Sequence, residues 1–277
     1  MLENILAYNR KCNMFSWLAK KVISLLVKID LIKILLLTIA IINLGLIVLI
    51  ISSLFLETSM IDISTVLKSI NTWQAVKVTI TSLLFSMLIA VIIGVPLAYF
   101  AIKRNNKFYK FFNLIINLPL VMPPAVVGLA LLLTFGQRGI LALNLAFTFM
   151  ALVIIQTFVI LPFFTLALKD GFAAIDEKIE EAAKVDGASS KELLFSIYLP
   201  LSIKPFTTGL VIGCLRAAGE FGATIIFAGN LTGRTQTLAT AVYTLAQQDG
   251  EQAIALALLL IIIFSLPLLL VEFKLKK

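Results

Sequence analysis

Long apolar runs alternate with short polar segments along this chain, and six of them reach the roughly 20 residues a helix needs to cross about 30 Å of hydrocarbon. They cover 34–56, 75–102, 111–135, 145–168, 206–228 and 253–271. The pattern predicts an all-α, polytopic membrane protein with six transmembrane helices. The first run begins after 33 residues. It is too long for a signal-peptide core and lacks a small-x-small cleavage site, so it is retained as a span.

Composition supports this reading. Of the residues, 60% are hydrophobic and 14% charged, with a mean hydropathy of +1.05, whereas a soluble domain carries roughly 25% charged residues. The apolar runs consume nearly the whole length, leaving a basic N-terminal region, 1–33, and a membrane domain, 34–277. Histidine is absent, and the two cysteines, Cys12 and Cys214, make neither a disulfide framework nor a metal site.

The net charge of +8 does not form a polar face suited to nucleic acid. Segments 1–33, 103–110, 169–204 and 273–277 hold 6, 4, 5 and 3 Lys/Arg. The alternating segments 57–73, 136–144 and 229–252 hold one each: Lys68, Arg138 and Arg234. This bias places both termini in the cytoplasm, with Lys77 and Arg216 left inside spans. Ahead of the first span, residues 14–30 set Phe15, Leu18, Val22, Leu25, Leu26 and Ile29 opposite Lys20, Lys21, Ser24 and Lys28. That face suits a helix lying in the membrane interface against lipid, or a basic topology anchor.

Prolines mark irregular helix: Pro96, then Pro119, Pro123 and Pro124, then Pro162. The third span is expected to break near a pathway, or else to carry a packing kink.

Loop 169–204 is the longest between spans and lies on the cytoplasmic side. Asp176, Glu177, Glu180 and Glu181 fall in the early turns of a helix, where its dipole favours negative charge. Gly187 is a stop, and Ser189 or Ser190 caps a second helix toward Pro200. The segment reads as a solvated loop helix or, since Ala182, Ala183, Gly187 and Ala188 lie among the acids, as a slim knob gripped by another protein.

Here the sequence resembles a known family, the membrane subunits of binding-protein-dependent ABC importers. Their loop pattern is E-A-A, three residues, G, nine residues, I-x-L-P. It is matched by Glu181, Ala182, Ala183, Gly187, Ile197, Leu199 and Pro200. The resemblance covers spans two to six. It implies the type I permease fold and a coupling helix, Glu181 to Ala188 with Asp186, seated in a groove of a separate ATPase. Arg216, Ala217, Gly219 to Thr224 and Phe227 to Asn230 are similar to the molybdate permease branch. Tungstate is inseparable there, and sulfate permeases share the G-E-F-G core.

The resemblance further implies a homodimer in a prokaryotic cytoplasmic membrane, two ATPase copies and an extracytoplasmic binding protein. No cofactor is expected on this chain, ATP and Mg belonging to the ATPase. Consistent with a transport subunit rather than an enzyme, the sequence has no G-x-x-x-x-G-K-S/T phosphate loop.

In the fifth span, Arg216 and Glu220 stand four apart in an apolar run, where a helix sets them side by side. The pair either lines a pathway or gate, or locks the helix to its neighbours. Gly209, Gly213 and Ala217 form one small-residue ridge, and Ala218 with Gly222 another. Such ridges serve pathway-lining contacts between subunits or ordinary packing within one. Thr224, Asn230, Thr232 and Arg234 are pathway candidates for an oxyanion near the outer end.

A sulfate or thiosulfate permease is the alternative within the family. From another class, a secondary transporter would need internal repeats and buried carboxylates. Glu220 is the one buried carboxylate expected.

Overall fold

The computed structural model describes Lys21, residues 31–102 and residues 107–274. Among them every regular element is helical. The amphipathic stretch 14–30, apart from Lys21, lies outside the described residues.

Two units divide between Leu56 and Glu57. In the first, α1 (Leu31–Glu57) is apolar all round, with most side chains from Ile34 to Leu56 exposed. An exposed helix of this kind is stable where lipid replaces water. The second unit holds α2 (Met60–Lys68), α3 (Ile70–Ile102), α4 (Lys107–Val121), α5 (Pro124–Phe135), α6 (Phe149–Ala173), α7 (Glu177–Val185), α8 (Ser190–Leu201), α9 (Ile203–Ala218), α10 (Leu238–Gln248) and α11 (Gly250–Lys274). Helices α1, α3, α6 and α11 are each long and apolar enough to cross a membrane. Two bent pairs, α4 with α5 and α8 with α9, bring the number up to six if each pair is one span, by length and composition.

Helix α6 is the axis of the second unit. Its residues Leu152, Ile155, Ile160, Phe164 and Leu168 are fully buried, packed between α3 and α9. Glycines allow that closeness. A Cβ on Gly94 of α3 would lie 2.6 Å from Phe164, and one on Gly209 of α9 2.6 Å from the Ala167 methyl. Gly213 faces Ile160 in the same way. The Gly209–Gly213–Ala217 ridge is therefore spent within the subunit, where close backbone approach gains dispersion contact.

The third span bends by 117° between α4 and α5. Pro123 and Pro124 cause it: Pro124 opens α5 at a position where a missing N–H costs nothing, and Met122 falls out of the helix. The fourth span begins at Phe149 rather than 145, because Thr148 caps it by accepting from Ala151 N.

The fifth span departs further from expectation. A helix over 206–228 is interrupted: α9 ends at Ala218, Gly219 to Phe221 leave the helix, and a short π-helical turn, Thr224–Ala228, follows. Sixteen helical residues reach only about 24 Å, short of the hydrocarbon width. The irregular stretch is held by Glu220 N donating to Ala217 O, Ala223 N to Glu220 Oε1 and Gly229 N to Thr224 O.

Candidate functional site

Two places in the second unit carry chemistry that packing alone does not require. The first is the cytoplasmic loop. Asp176 caps α7 by accepting from Lys178 N at 3.0 Å. The helix closes with Gly187 at φ +88°, Ala188 N donating to Ala183 O at 2.9 Å and Gly187 N to Lys184 O at 3.1 Å. This is a Schellman closure, and glycine adopts its left-handed φ without a Cβ penalty.

Ser189 then caps α8 through a capping box with Glu192, whose carboxylate accepts from Ser189 N and Ser189 Oγ at 2.7 Å. Those bonds, chiefly the side-chain one, hold the Glu192 carboxyl below the usual carboxylate range.

The small residues divide between two faces. Ala183 and Ala188 pack against the helix bundle, while Ala182, Asp186 and Gly187 remain exposed with Glu181. Val185 is 87% exposed and Ile179 44%. The outward surface thus carries Val185 and Ile179 as separate apolar groups among the exposed Glu181, Lys178 and Asp186.

Beneath it lies an aromatic seat. Tyr198 stacks edge-on against Tyr99 of α3 at 5.4 Å and against Phe172 of α6 at 5.2 Å, and its hydroxyl donates to Glu180 of α7. Glu180 also pairs with Lys184 at 2.6 Å, and that hydrogen bond raises the Lys184 pKa. Residues Leu193–Tyr198 are π-helical, Leu199 N reaching back to Leu194 O, next to Pro200, which has no N–H to give the ladder. Leu199 is half-buried in the same cluster and Pro200 is exposed. Sequence reasoning missed Tyr198. Its signal was a tyrosine in the free position of I-x-L-P, but its partners come from two other spans.

The second place is a narrow cleft of about 70 Å³ where the helix breaks meet. Pro119 and Pro124 from the third span, Pro162 from the fourth, and Arg216 and Glu220 from the fifth line it. Arg216 Nη1 donates to Glu220 Oε2 at 3.1 Å, although the helix ends between them. Glu220 Oε1 accepts from Ala223 N at 3.0 Å. The acid, 3% exposed, so caps the turn that restarts after the break, while Arg216, 45% exposed, faces the cleft.

Gly222 lies against Pro124, where a Cβ would come within 2.9 Å. Thr224 is turned inward, donating to Glu220 O at 3.1 Å. Asn230 is elsewhere, on the outer loop, its amide donating to Thr244 of α10 at 2.7 Å. The structure therefore gathers Arg216, Glu220 and Gly222 at the breaks and leaves Thr224 and Asn230 outside that cleft.

Residues 90–274 match the family model described as "Binding-protein-dependent transport system inner membrane component". The probable transport system permease protein NifC of Clostridium pasteurianum is 35% identical over 205 residues, 71% of this chain and 71% of that one. The molybdenum transport system permease protein ModB of Haemophilus influenzae is 35% identical over 213 residues, 73% of this chain and 91% of the relative. The fold is that of a chain in the crystal structure of a bacterial alginate ABC transporter in complex with its alginate-bound periplasmic protein. The TM-score is 0.66 at 19% identity, covering 88% of this chain and 94% of that one.

With its multi-pass apolar helices and its matched E-A-A loop, the chain belongs to the family of binding-protein-dependent transport system inner membrane components, the permease subunits of ABC importers.

Proposed function

We propose that this chain is the permease subunit of an ATP-driven importer of molybdate, with tungstate as a second substrate. Two copies form the pathway, two copies of a separate ATPase grip the loops, and an extracytoplasmic binding protein delivers the anion. This chain holds neither ATP nor Mg; both belong to the ATPase. Its two parts are the basic region 1–33 and the permease domain 34–277, with Glu181 to Ala188 as the coupling helix.

The observation that carries the reading is the α7 surface. Val185 and Ile179 are exposed on a short helix whose other exposed side chains include the charged Glu177, Lys178, Glu181, Lys184 and Asp186. A groove on a partner protein accounts for that surface, and Gly187 and Ala182 keep it slim.

Force on α7 has a short route into the membrane. Glu180 and Tyr198 tie the coupling helix to Tyr99 on α3 and Phe172 on α6. ATP binding draws the two coupling helices together and turns the pathway outward; hydrolysis resets it inward. The anion's identity is supported by relatives named for molybdenum transport and by the Arg216 to Asn230 string.

The test is uptake of radioactive molybdate into proteoliposomes holding the permease, its ATPase and its binding protein, with tungstate and sulfate as competitors. ATP-dependent uptake blocked by tungstate and not by sulfate is the expected result. Uptake in the absence of the ATPase would refute the coupling, and competition by sulfate alone would reassign the substrate.

A further inference from the structure

On the outer face, a second cleft, of about 490 Å³, is formed by three segments remote in sequence. Gln74, Lys77 and Thr81 come from the first turns of α3, Thr148 caps α6, and Gly233 with Arg234 belong to the loop before α10. No acidic residue lines it. Lys77 and Arg234 are both exposed, and neither forms an ion pair with any described residue.

That pairing of charges needs a reason. The outer segments hold only three Lys/Arg, and Lys77 is one of two further cations placed inside spans. Two like charges lining one cleft repel unless something between them is negative.

The loop that carries Arg234 is also built to stay in place. Arg234 N, Thr235 N and Gln236 N all donate to Leu231 O, at 2.9–3.0 Å, and Leu231 N donates back to the buried Thr235 hydroxyl. Leu238 N donates to Thr79 Oγ1 at 2.9 Å, which pins the loop to α3 two residues beyond Lys77. Gly233, at φ +72°, lies so close to Gln74 that a Cβ would be 2.9 Å from its side-chain oxygen. Arg234 is therefore presented over α3 by a fixed mount.

The donor set defines the ligand. The Thr81 and Thr148 hydroxyls are already committed, each donating to a backbone carbonyl at 2.6 Å. What remains free is an ammonium, a guanidinium and a primary amide, which together match a small anion of high charge with several oxygens. A site built of two cations without a full cage of donors attracts such an ion and lets it go.

We propose that the Lys77–Arg234 cleft is a low-affinity receiving site for a tetrahedral oxyanion dianion, entered as the binding protein releases it and left as the pathway opens inward. This rests on the reading of the chain as an oxyanion importer. Lys77 and Arg234 supply the charge, and Gln74 orients one oxygen.

The experiment measures acylation of Lys77 by a membrane-impermeant amine reagent in the permease–ATPase complex, held in nanodiscs of zwitterionic lipid and read by mass spectrometry. Lys68, outside the cleft, is the internal reference. Molybdate, tungstate or sulfate is added at an ionic strength matched with chloride. The expected result is a several-fold slowing of Lys77 modification relative to Lys68 by at least one oxyanion, lost in R234Q. In proteoliposome uptake, K77Q is expected to lose transport and K77R to recover it.

Equal Lys77 rates in chloride and in all three oxyanions would overturn the proposal. So would protection that appears only in nanodiscs containing anionic phosphatidylglycerol, with no oxyanion added, since the ligand would then be a lipid headgroup. Protection by sulfate and not molybdate supports the cleft while overturning the molybdate reading, so the two fail separately.

Discussion

The Tyr198 hydroxyl donates a hydrogen bond to the Glu180 carboxylate, joining the π-helical part of α8 to α7, 18 residues earlier. Because Tyr198 also stacks on Tyr99 and Phe172, this one side chain connects α7 to two membrane helices. On the proposed coupling role of α7, removing its hydroxyl is expected to separate docking from transmission.

Tyr198→Phe keeps the stacking and loses the bond to a charged acceptor, costing about 1.5–3 kcal/mol locally. The ATPase is expected to co-purify as before, while binding-protein-stimulated ATP hydrolysis and uptake fall together. Unchanged stimulation in this variant would remove Tyr198 from the coupling route.

At Gly187 the φ is +88° and no atom lies within 4 Å of a built Cβ. Gly187→Ala should therefore suffer only the left-handed backbone cost, about 1–2 kcal/mol. Gly187→Trp adds a bulky group to the exposed knob. It is expected to insert normally and to lose ATPase co-purification, with Gly187→Asn, which tolerates this conformation, intermediate. Normal docking of the Trp variant would refute the assignment of α7 as the coupling helix.

For Arg216 and Glu220, the geometry predicts non-additivity. Arg216→Ala leaves a carboxylate 3% exposed without its cation, and the double variant R216A/E220A removes both. A double-mutant cycle on thermal stability in detergent should show coupling of about 0.5–3 kcal/mol. Strict additivity would mean that the pair does not stabilise the break.

Gly209→Leu is expected to destabilise by about 1–3 kcal/mol through overpacking, because Ala167 occupies the space a Cβ would take. The melting temperature of the purified subunit measures it. An unaffected melting temperature would show that α6 and α9 do not meet there.

The capping box makes α8 pH-sensitive. The Glu192 carboxyl is held low by Ser189, chiefly through the hydroxyl bond. The stability it contributes is therefore complete above the ordinary carboxylate pKa and is lost as pH falls through the lowered folded value. Ser189→Ala should move the Glu192 titration, followed by carboxyl carbon NMR, up toward the ordinary range. A midpoint that stays put would show that the box does not form in solution.

What the sequence determined by itself follows from free energies of transfer and from local chain geometry. Apolar runs of spanning length, the cytoplasmic excess of Lys and Arg, the prolines of the third span and the glycine that ends α7 each depend on residues contiguous in the sequence. All are visible along one chain. The E-A-A loop is legible for the same reason: its caps and its closure are local hydrogen bonds.

Only the tertiary structure decided where those elements meet. The fifth span looked continuous because Gly219 to Phe221 sit in an apolar run. Its break is stabilised by Glu220 capping the next turn and by Gly222 against Pro124, a contact with another span. The small residues of α9 allow two uses by their spacing alone, and the packing of α6 on Gly209 and Gly213 selects one. Tyr198 finds its ring partners in Tyr99 and Phe172, and Lys77 and Arg234 line one cleft where Leu238 is hydrogen-bonded to Thr79, 159 residues away. Transfer free energy selects which segments enter the membrane, but side-chain contacts between distant segments select how they face one another.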